Sequence, residues 1–420
     1  MPTLIRGAYL LGLSNAAIGA DGEGDVLIEE GRIVAIAPSL AAPAETEVVE
    51  ANGQYLGPSL VDLYSHSGEP GHEARETYAS IKQAAKAGGF SRVGLLPDTE
   101  PAIDSTSAIQ TIQRASDKGG VQFLPWATVT LGGAGEQLCE LAELAGAGAL
   151  GFTDSAPITN FVLLRRLLEY AQPLQKPIAL WPCNPDLAGD GSAREGVDAL
   201  RLGLAGVSAT AETTALATLL ECVAQCHTPV HIMRVSTSRS VALIQQAKAR
   251  GLPVTASVAW HHLIFDTQDL KSYDPNLRHE PPLGLPSDRA ALIEGVANGI
   301  LDAIAVDHSP YTYEENTVAF DAAPPGAIGL ELALPILWQT LVEGEAQWQP
   351  QTLWRSLSYS PLRCLGLEPN TLKVDSPAEL TLFDPRIEWQ VSAKSLQSLS
   401  SNTHWLGQSI RGKVTATWMG

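Results

Sequence analysis

The sequence has few basic residues, few cysteines and no long apolar run. Its 27 lysine and arginine residues face 46 aspartate and glutamate residues, which gives a formal net charge of −19. A chain this acidic is a poor partner for nucleic-acid phosphates or anionic membranes. No apolar run approaches the roughly 20 residues of a membrane span, and residues 1–6 lack the layout of a signal peptide. We therefore expect a cytoplasmic protein that binds neither nucleic acid nor membrane.

The five cysteines are odd in number and irregularly spaced, so the sequence predicts no disulfide framework. The spacing Cys222-x-x-x-Cys226-His227 raises the question of a metal site. However, no second pair of ligands lies near these residues in the sequence. We therefore favour the simpler interpretation, in which both cysteines are small core residues on one helix.

The central part of the chain alternates between two kinds of segment. With 420 residues, 45% of them hydrophobic, the chain is long enough for a large core and an accessory domain. Alternating strands and helices indicate a parallel sheet, and eight such units in about 300 residues are typical of a (β/α)8 barrel. The predicted strands lie at 60–63, 93–96, 121–129, 149–152, 178–181, 230–235, 254–258 and 303–306. The predicted helices lie at 74–87, 104–117, 159–171, 209–226, 240–249 and 288–298, with two more near 329–342 and 351–364.

Both ends of the chain contain short strands and turns instead. Residues 25–36 are typical of a hairpin with a Glu-Gly turn, and strand-like runs return at 379–383 and 412–418. The predicted fold is α/β, a TIM barrel at 58–368 with one small β domain built from residues 1–57 and 369–420.

The segment after the first predicted strand carries the clearest motif. In a parallel barrel, groups just past the C-terminal end of a strand face the active site. The segment reads Asp62-Leu63-Tyr64-Ser65-His66-Ser67-Gly68-Glu69-Pro70-Gly71. It resembles the first-strand signature of dihydroorotase and related cyclic amidohydrolases, Asp-x-His-x-His followed by Arg-Glu-Pro-Gly. Tyr64 and His66 take the positions of the two histidines, and Gly68 takes that of the arginine.

Further segments resemble the same family and follow in the same order. They are Ala87-Gly88-Gly89-Phe90, Pro97-Asp98-Thr99-Glu100-Pro101, Gly151-Phe152-Thr153-Asp154, Val235-Ser236-Thr237 with Ser240-Val241, His261-His262-Leu263, Pro281-Pro282-Leu283, Asp307-His308-Ser309-Pro310-Tyr311-Thr312, Asn402-Thr403 with Gly407, and Gly412-Lys413-Val414. The resemblance covers nearly the whole chain, so it identifies fold and ancestry. Activity does not follow from the fold alone.

The resemblance implies a catalytic zinc site in the family. Dihydroorotase interconverts N-carbamoyl-aspartate and dihydroorotate, and zinc lowers the pKa of a bound water to about 7. The family uses four histidines, a bridging carboxylate and an aspartate that shuttles the proton. By position, this chain keeps His66, Asp154 and Asp307, and it has lost ligands at Tyr64, Pro182 and Arg234. We therefore expect neither a binuclear zinc site nor another cofactor, and we interpret Asp307 as a vestigial general base.

The substrate-binding positions are altered in parallel. Where the family has cationic or amide donors for an anionic substrate, this chain has Gly68, Asp98, Glu280 and Gly284. Carboxylates are expected to surround the mouth, namely Glu69, Asp98, Asp154, Glu280 and Asp307. Such a pocket repels a dianion. We expect the guanidinium of Arg234 to compensate this charge by bonding to Asp307, Asp154 or both.

Some residues have a simpler structural interpretation. We expect His66 to be a hydrogen-bonded core residue, and His231 to lie on the strand face opposite Arg234. We expect His261 and His262 on the seventh strand, where neighbours face opposite sides. The C-terminal tryptophans are a candidate partner face: Trp338, Trp348, Trp354, Trp389, Trp405 and Trp418.

We interpret the chain as a catalytically degenerate relative of dihydroorotase that acts as a scaffold or regulator. By resemblance, its partner is aspartate transcarbamoylase of pyrimidine biosynthesis, and the chain itself forms a homo-oligomer. Two alternatives stay open. One is an altered cyclic amidohydrolase that acts on a C–N bond of dihydroorotate or another cyclic amide. The other is a binding module whose acidic pocket holds a small cationic ligand.

Overall fold

The computed structural model describes residues 2–12, 22–116 and 120–420. Residues 1 and 13–21 of the predicted N-terminal segment 1–57, and residue 117 of the predicted helix 104–117, lie outside the described residues. The strands are β1 (Thr3–Leu10), β2 (Glu23–Glu29), β3 (Arg32–Ala37), β4 (Glu47–Glu50), β5 (Tyr55–Pro58), β6 (Leu60–Ser65), β7 (Phe90–Leu95), β8 (Gln122–Ala127), β9 (Gly151–Phe152), β10 (Ile178–Leu180), β11 (Ala193–Arg194), β12 (Gly206–Val207), β13 (Val230–Ile232), β14 (Val254–Ala259), β15 (Ala303–Ala305), β16 (Glu379–Gln390) and β17 (Ser409–Met419).

The helices follow the strands in alternation. They are α1 (Tyr78–Ala87), α2 (Thr106–Ala115), α3 (Leu141–Gly146), α4 (Phe161–Ala171), α5 (Pro185–Ala188), α6 (Val197–Leu202), α7 (Thr210–Cys226), α8 (Ser238–Ala249), α9 (His261–Ile264), α10 (Pro286–Ala297), α11 (Tyr313–Asn316), α12 (Ala333–Leu337), α13 (Pro350–Leu357) and α14 (Tyr359–Cys364). Among the described residues, none of the helices is both long and apolar enough to cross a membrane.

Eight parallel strands form a nearly closed barrel, in the order β6, β7, β8, β9, β10, β13, β14 and β15. The first and last strands meet just past their ends. The Asp307 N–H donates to the Tyr64 carbonyl at 3.2 Å, and the His66 N–H donates to the His308 carbonyl at 2.8 Å. The buried carboxylate of Asp62 also accepts from the Val306 N–H at 2.8 Å. The predicted barrel is thus confirmed, and each predicted apolar run overlaps one of its strands.

Strand geometry sends alternate side chains to opposite faces, so the barrel has two cores. Val230 and Ile232 of β13 pack in the outer core between strands and helices. Tyr64, Trp126 and Met233 pack in the inner core. Because large side chains fill the interior, the barrel is a packed core, and its functional groups belong at the C-terminal ends of the strands.

The two chain ends build one β sheet beside the barrel. Its order is β17, β16, β5, β1, β2 and β3, with β4 paired to β1. Antiparallel pairing of β16 with β5 places Leu382 opposite Leu56, which joins C-terminal to N-terminal residues. The predicted β domain from both chain ends is therefore confirmed. The boundaries 1–57, 58–368 and 369–420 stay a prediction.

Two features differ from the sequence-based expectations. Between β10 and β13 the chain adds α5, β11, α6 and β12, and β11 and β12 form a separate two-stranded sheet. The proposed tryptophan face is wrong, because four of the six side chains are buried and the other two are half-buried: Trp338, Trp348, Trp354 and Trp405, then Trp389 and Trp418. These large rings pack inside the fold and do not form an exposed surface.

Candidate functional site

Arg234 lies just past the end of β13, where the backbone turns. Its φ of 55° is in the left-handed region, which is uncommon for a residue with a side chain. The next turn is fixed by the buried Glu212, which accepts hydrogen bonds from the N–H groups of Ser236 and Thr237. Thr237 then caps α8 by accepting from the Ser240 N–H. This rigid turn directs the Arg234 side chain into the barrel mouth.

The guanidinium of Arg234 pairs with Asp307 at the end of β15. Nε donates to Oδ2 and Nη2 donates to Oδ1, both at 2.8 Å. The guanidinium carbon lies 5.3 Å from the ring centroid of Trp181, within the range of cation–π attraction. Burial alone raises the pKa of Asp307, but Arg234 and His66 outweigh it and hold this pKa well below its usual range. Asp307 is therefore ionised and fully engaged.

His66 lies between this pair and Asp98. Its Nδ1 is 2.5 Å from Asp98 Oδ2, and its Nε2 is 2.9 Å from Arg234 Nη2. Burial lowers the pKa of His66, but Asp98 and Asp307 more than offset it and raise it to about 9. A proton on Nε2 would nevertheless place two donors 2.9 Å apart, because a guanidinium only donates. The contacts seen here need neutral His66 with its proton on Nδ1, and an imidazolium requires Arg234 to withdraw.

Tyr64 and His231 fill the barrel interior below Arg234. The Tyr64 hydroxyl accepts from the Arg234 N–H at 3.2 Å and is hydrogen-bonded to Ser257 Oγ at 2.9 Å. His231 Nε2 lies 2.9 Å from the same Ser257 oxygen. The sequence predicts that His231 and Arg234 lie on opposite faces of the strand. This prediction is wrong, because the left-handed turn at Arg234 ends the alternation of side chains along β13.

Asp154 has a different environment from Asp307. Its Oδ1 accepts from the N–H groups of Val129 and Thr130 at 2.7 and 2.9 Å, and its Oδ2 accepts from Thr130 Oγ1 at 2.7 Å. Burial raises its pKa, and these donors lower it in part. Asp307 and Asp154 are the predicted bonding partners of Arg234. The structure pairs Asp307 with the guanidinium, whereas Asp154 anchors the loop after β8.

Pro182 follows β10 but lies behind the cavity wall. Its neighbours Trp181 and Cys183 line the cavity, as alternation along an extended chain requires. Burial raises the pKa of the Cys183 thiol to about 11, so this cysteine is protonated at neutral pH. Among the described residues, Cys183 belongs to no group of three side chains that could hold a metal ion.

The two glycines at substrate positions occupy crowded backbone sites. A Cβ added at Gly68 would lie less than 3.0 Å from the carbonyl oxygens of His72 and Glu76, and one at Gly284 would lie 2.7 Å from the Cβ of Asp288. Asp98 and Glu280, by contrast, line the cavity. The two glycines therefore have no space for a side chain, whereas the side chains of Asp98 and Glu280 are available to the cavity; that all four are altered substrate-binding positions stays a prediction.

Three buried histidines line the same cavity: His261, His262 and His279. The prediction that His261 and His262 face opposite sides of a strand is wrong, because β14 ends at Ala259 and both residues lie in the short helix α9. The rings of His261 and His279 pack at a tilt of 34° with centroids 4.2 Å apart. Burial lowers the pKa of His262 to about 4 and that of His279 to about 3. Sequence analysis missed His279, whose only signal was its place beside Glu280.

These residues surround a cavity of about 440 Å³ at the C-terminal ends of the strands. His66 and Asp98 lie at one side, with side chains 24% and 34% exposed. The buried Arg234–Asp307 pair and the exposed Glu280 also line the cavity. The cavity can therefore admit a small molecule from solvent.

The residues present do not fit a binuclear zinc centre. Such centres need several imidazole, thiolate or carboxylate ligands around each ion. Within residues 2–12, 22–116 and 120–420, no three such side chains are arranged to hold a metal ion. The guanidinium of Arg234 contacts both His66 and Asp307, the two remaining ligands at this point. Since it is a permanent cation, it repels a metal there.

Comparisons with known proteins agree with the fold and the motifs. The dihydro-orotase-like family model matches residues 53–240. A probable dihydroorotase-like protein of Synechocystis sp. is 43% identical over 93% of this chain and 94% of its own length. A dihydroorotase of Pelobacter propionicus is 38% identical over 95% of this chain and 94% of its own length.

Among solved structures, the L-hydantoinase (dihydropyrimidinase) of Arthrobacter aurescens has a TM-score of 0.85 at 20% identity, covering 100% of this chain and 95% of that one. That likeness concerns the fold, whereas the sequence relatives extend along almost the whole chain at far higher identity. The chain belongs to the dihydroorotase-like family of cyclic amidohydrolases in the amidohydrolase superfamily.

Proposed function

We propose that this chain is a catalytically inactive member of its family, a cytoplasmic scaffold or regulator of aspartate transcarbamoylase in pyrimidine biosynthesis. The observation that carries the proposal is the position of Arg234. Its guanidinium binds Asp307 and contacts His66. A cation of the protein therefore takes the place in which the family resemblance puts a metal ion.

The chemistry of hydrolysis supports this proposal. Attack on a cyclic amide at neutral pH needs an activated water, which metal-dependent hydrolases obtain by lowering its pKa. Asp307 is a poor general base here, because its carboxylate is fully bonded to Arg234 and its pKa is held well below the usual range. Asp154 is occupied by backbone donors. The groups that would activate water are therefore engaged in structural contacts.

The charge of the mouth also opposes the family's substrates. N-carbamoyl-aspartate is a dianion at neutral pH, and dihydroorotate is an anion. The lining carboxylates Asp98 and Glu280 repel both, and Arg234 is already neutralised by Asp307. At Gly68, the backbone leaves no space for the substrate-binding arginine of the family.

The scaffold role draws on the intact fold and on exposed apolar side chains. Among the described residues, the eight barrel strands and the seven-stranded sheet of the β domain are all formed, although the site has lost its reactive groups. Leu200, Val162 and Tyr313 are 81%, 63% and 76% exposed, and such side chains mark a protein interface where they form a continuous apolar patch. A stable contact with aspartate transcarbamoylase, or between copies of this chain, would bury roughly 2,000 Å² or more.

Two experiments on the full chain test the proposal. Metal analysis of the purified protein is combined with a dihydroorotase assay, with the Pelobacter propionicus dihydroorotase as the positive control. We expect no stoichiometric zinc and no turnover, and about two zinc ions per chain with turnover would overturn the proposal.

Co-expression with aspartate transcarbamoylase of the same organism should give co-elution in size-exclusion chromatography. Separate elution of two correctly assembled proteins would remove the scaffold role.

An altered cyclic amidohydrolase is the second candidate. Relatives that are 34–38% identical over nearly the whole chain carry the name dihydroorotase, and the cavity at the strand ends is open. The substrate would be a neutral cyclic amide, because the lining carboxylates disfavour an anion. Turnover of dihydrouracil or hydantoin in the same assay, without turnover of dihydroorotate, would favour this candidate.

A further inference from the structure

The cavity at the barrel mouth contains buried nitrogen atoms without a partner in the described parts of the chain. They are Nε2 of His261, Nδ1 of His262 and Nε2 of His279. Their side chains are at most 8% exposed, and all three residues line the cavity. A buried polar atom without a partner is destabilising and uncommon. Three of them around one cavity indicate an occupant that supplies hydrogen bonds.

The direction of one of these bonds follows from His262. Its Nε2 lies 3.0 Å from the carbonyl oxygen of Pro281, which only accepts, so Nε2 carries the proton. In a neutral ring the other nitrogen is then an acceptor. Burial lowers the pKa of His262 to about 4, which keeps the ring neutral at pH 7. Nδ1 of His262 is therefore an acceptor without a donor, and an N–H or O–H group of an occupant would satisfy it.

The charges of the cavity favour donors as well. Among the described residues that line it, Arg234 is the one permanent cation, and Asp98, Glu280 and Asp307 are anions. Arg234 and Asp307 neutralise each other. Asp98 and Glu280 remain, and ionised carboxylates only accept hydrogen bonds. The cavity thus combines two carboxylates with neutral histidines. Each of these groups can accept a hydrogen bond.

A narrow side chamber of about 40 Å³ shares the wall formed by His279 and Glu280. Two more arginines line it, Arg194 and Arg278, together with Glu212. Counting both chambers, four carboxylates still exceed three guanidinium groups. The arginines therefore reduce the negative charge on that side and do not reverse it.

We propose that the cavity binds a small molecule with a positively charged nitrogen that carries several N–H groups, such as a primary ammonium or a guanidinium. These groups have three to five donors, and Asp98, Glu280 and His262 supply the acceptors. The volume of about 440 Å³ is in the usual range for small-molecule sites. This inference rests on the proposed inactive function, because a metal ion in the cavity would reverse the charge on which it depends.

Isothermal titration calorimetry on the full chain tests the proposal with four small-molecule probes. Butylguanidinium and butylammonium carry the proposed group, pentanamide is a neutral counterpart, and N-carbamoyl-aspartate is the dianion. We expect the two cations to bind and the dianion to leave no signal, with pentanamide at least tenfold weaker than either cation. Equal binding of pentanamide, binding of the dianion, or no binding of either cation would overturn the proposal.

Variants locate the site. Glu280→Gln should weaken butylguanidinium binding by roughly tenfold, since it removes one charge-assisted hydrogen bond. Glu143→Gln, an exposed carboxylate in α3 that does not line the cavity, is the matched control and should bind normally. Unchanged binding in Glu280→Gln would contradict the site. Asp98→Asn is a second variant, although its contact with His66 makes Glu280→Gln the cleaner test.

The outcome is separable from that of the proposed function. A chain that binds zinc and turns over dihydroorotate fails the proposed function in the metal and activity assays. A metal-free, inactive chain that binds no cation fails only the ligand proposal. Both assays use the same purified protein, so neither result depends on the other.

Discussion

The guanidinium of Arg234 and the carboxylate of Asp307 form a two-point ion pair, with both N–O distances at 2.8 Å. Both residues have a left-handed backbone, with φ of 55° and 51°. The turns after β13 and β15 thus direct the guanidinium of Arg234 and the carboxylate of Asp307 toward each other. The pair is buried, with side chains 7% and 12% exposed. Pairing of this kind removes the cost of an isolated buried carboxylate.

Replacing Arg234 by alanine should destabilise the fold. Truncating one partner of a buried pair costs about 3–5 kcal/mol, because it leaves an uncompensated charge. The measurement is urea unfolding of Arg234→Ala beside the wild type. The control is Arg165→Ala, whose surface pair with Glu169 is more than half exposed and should contribute about 0.3–0.5 kcal/mol.

The cost of Arg234→Ala should depend on pH through His66. Without Arg234, Nε2 is free to take a proton and to compensate Asp307. Asp98 and Asp307 raise the pKa of His66 above its ordinary value of 6.5, and in the variant Arg234 no longer opposes the proton. This compensation is therefore complete below about pH 6.5 and is lost as the pH rises through the raised folded pKa. The variant should therefore lose stability relative to wild type between these limits. Equal losses at pH 6 and pH 10 would contradict the coupling.

Restoring two histidines should not restore catalysis. Tyr64→His together with Arg234→His rebuilds part of the family's ligand set, but Pro182 still offers no ligand and Gly68 has no space for a side chain. A single well-placed electrostatic donor is worth roughly a hundredfold or more in rate. We expect no detectable dihydroorotase activity in the double variant with added zinc, measured beside an active dihydroorotase. Clear turnover would show that the site is less altered than the geometry indicates.

The alternation of apolar runs and helical stretches was enough to predict the barrel. Each barrel strand is buried by helices on one face and by the interior on the other, so it appears in the sequence as a short apolar run. The two-residue strands β11 and β12 were not predictable in this way. A strand of two residues has no period to detect, and its pairing depends on tertiary contacts.

Site residues were harder to predict where the backbone leaves its regular conformation. Strand alternation fails for His231 because Arg234 adopts a left-handed φ. It fails for His261 and His262 because a helical turn begins two residues after β14. The motif identified Gly68 as a position where the family has a side chain and this chain has none. The structure adds that the carbonyl oxygens of His72 and Glu76 leave no space for a Cβ at this position. Such contacts are tertiary and have no local signature.

Asp62 should make stability fall as the pH rises. This fully buried carboxyl group has its pKa raised by burial from 3.8 to about 7, against the donors Ser65 and Val306. The folded protein binds the proton of Asp62 more tightly than the unfolded chain does. The stabilising contribution of this proton to the free energy of unfolding therefore declines from about pH 4 to about pH 7 and is constant above pH 7. The difference in unfolding free energy between wild type and Asp62→Asn, measured by urea titration at pH 5, 6, 7 and 8, should shrink by a few kcal/mol. A constant difference would contradict the raised pKa.

Gly68→Ala should test whether the loop after β6 has been rebuilt around glycine. The added Cβ meets the carbonyl oxygens of His72 and Glu76 at less than 3.0 Å, and backbone atoms cannot rotate away as a flexible side chain can. Overpacking of this kind costs about 1–3 kcal/mol. Gly146→Ala is the matched control, because a Cβ there meets nothing within 4 Å in the helix α3. It should be neutral or stabilising by up to about 1 kcal/mol. If thermal unfolding shows Gly68→Ala to be as stable as the control, the loop has space for a side chain, and a simple Gly68→Arg substitution could then supply the missing guanidinium.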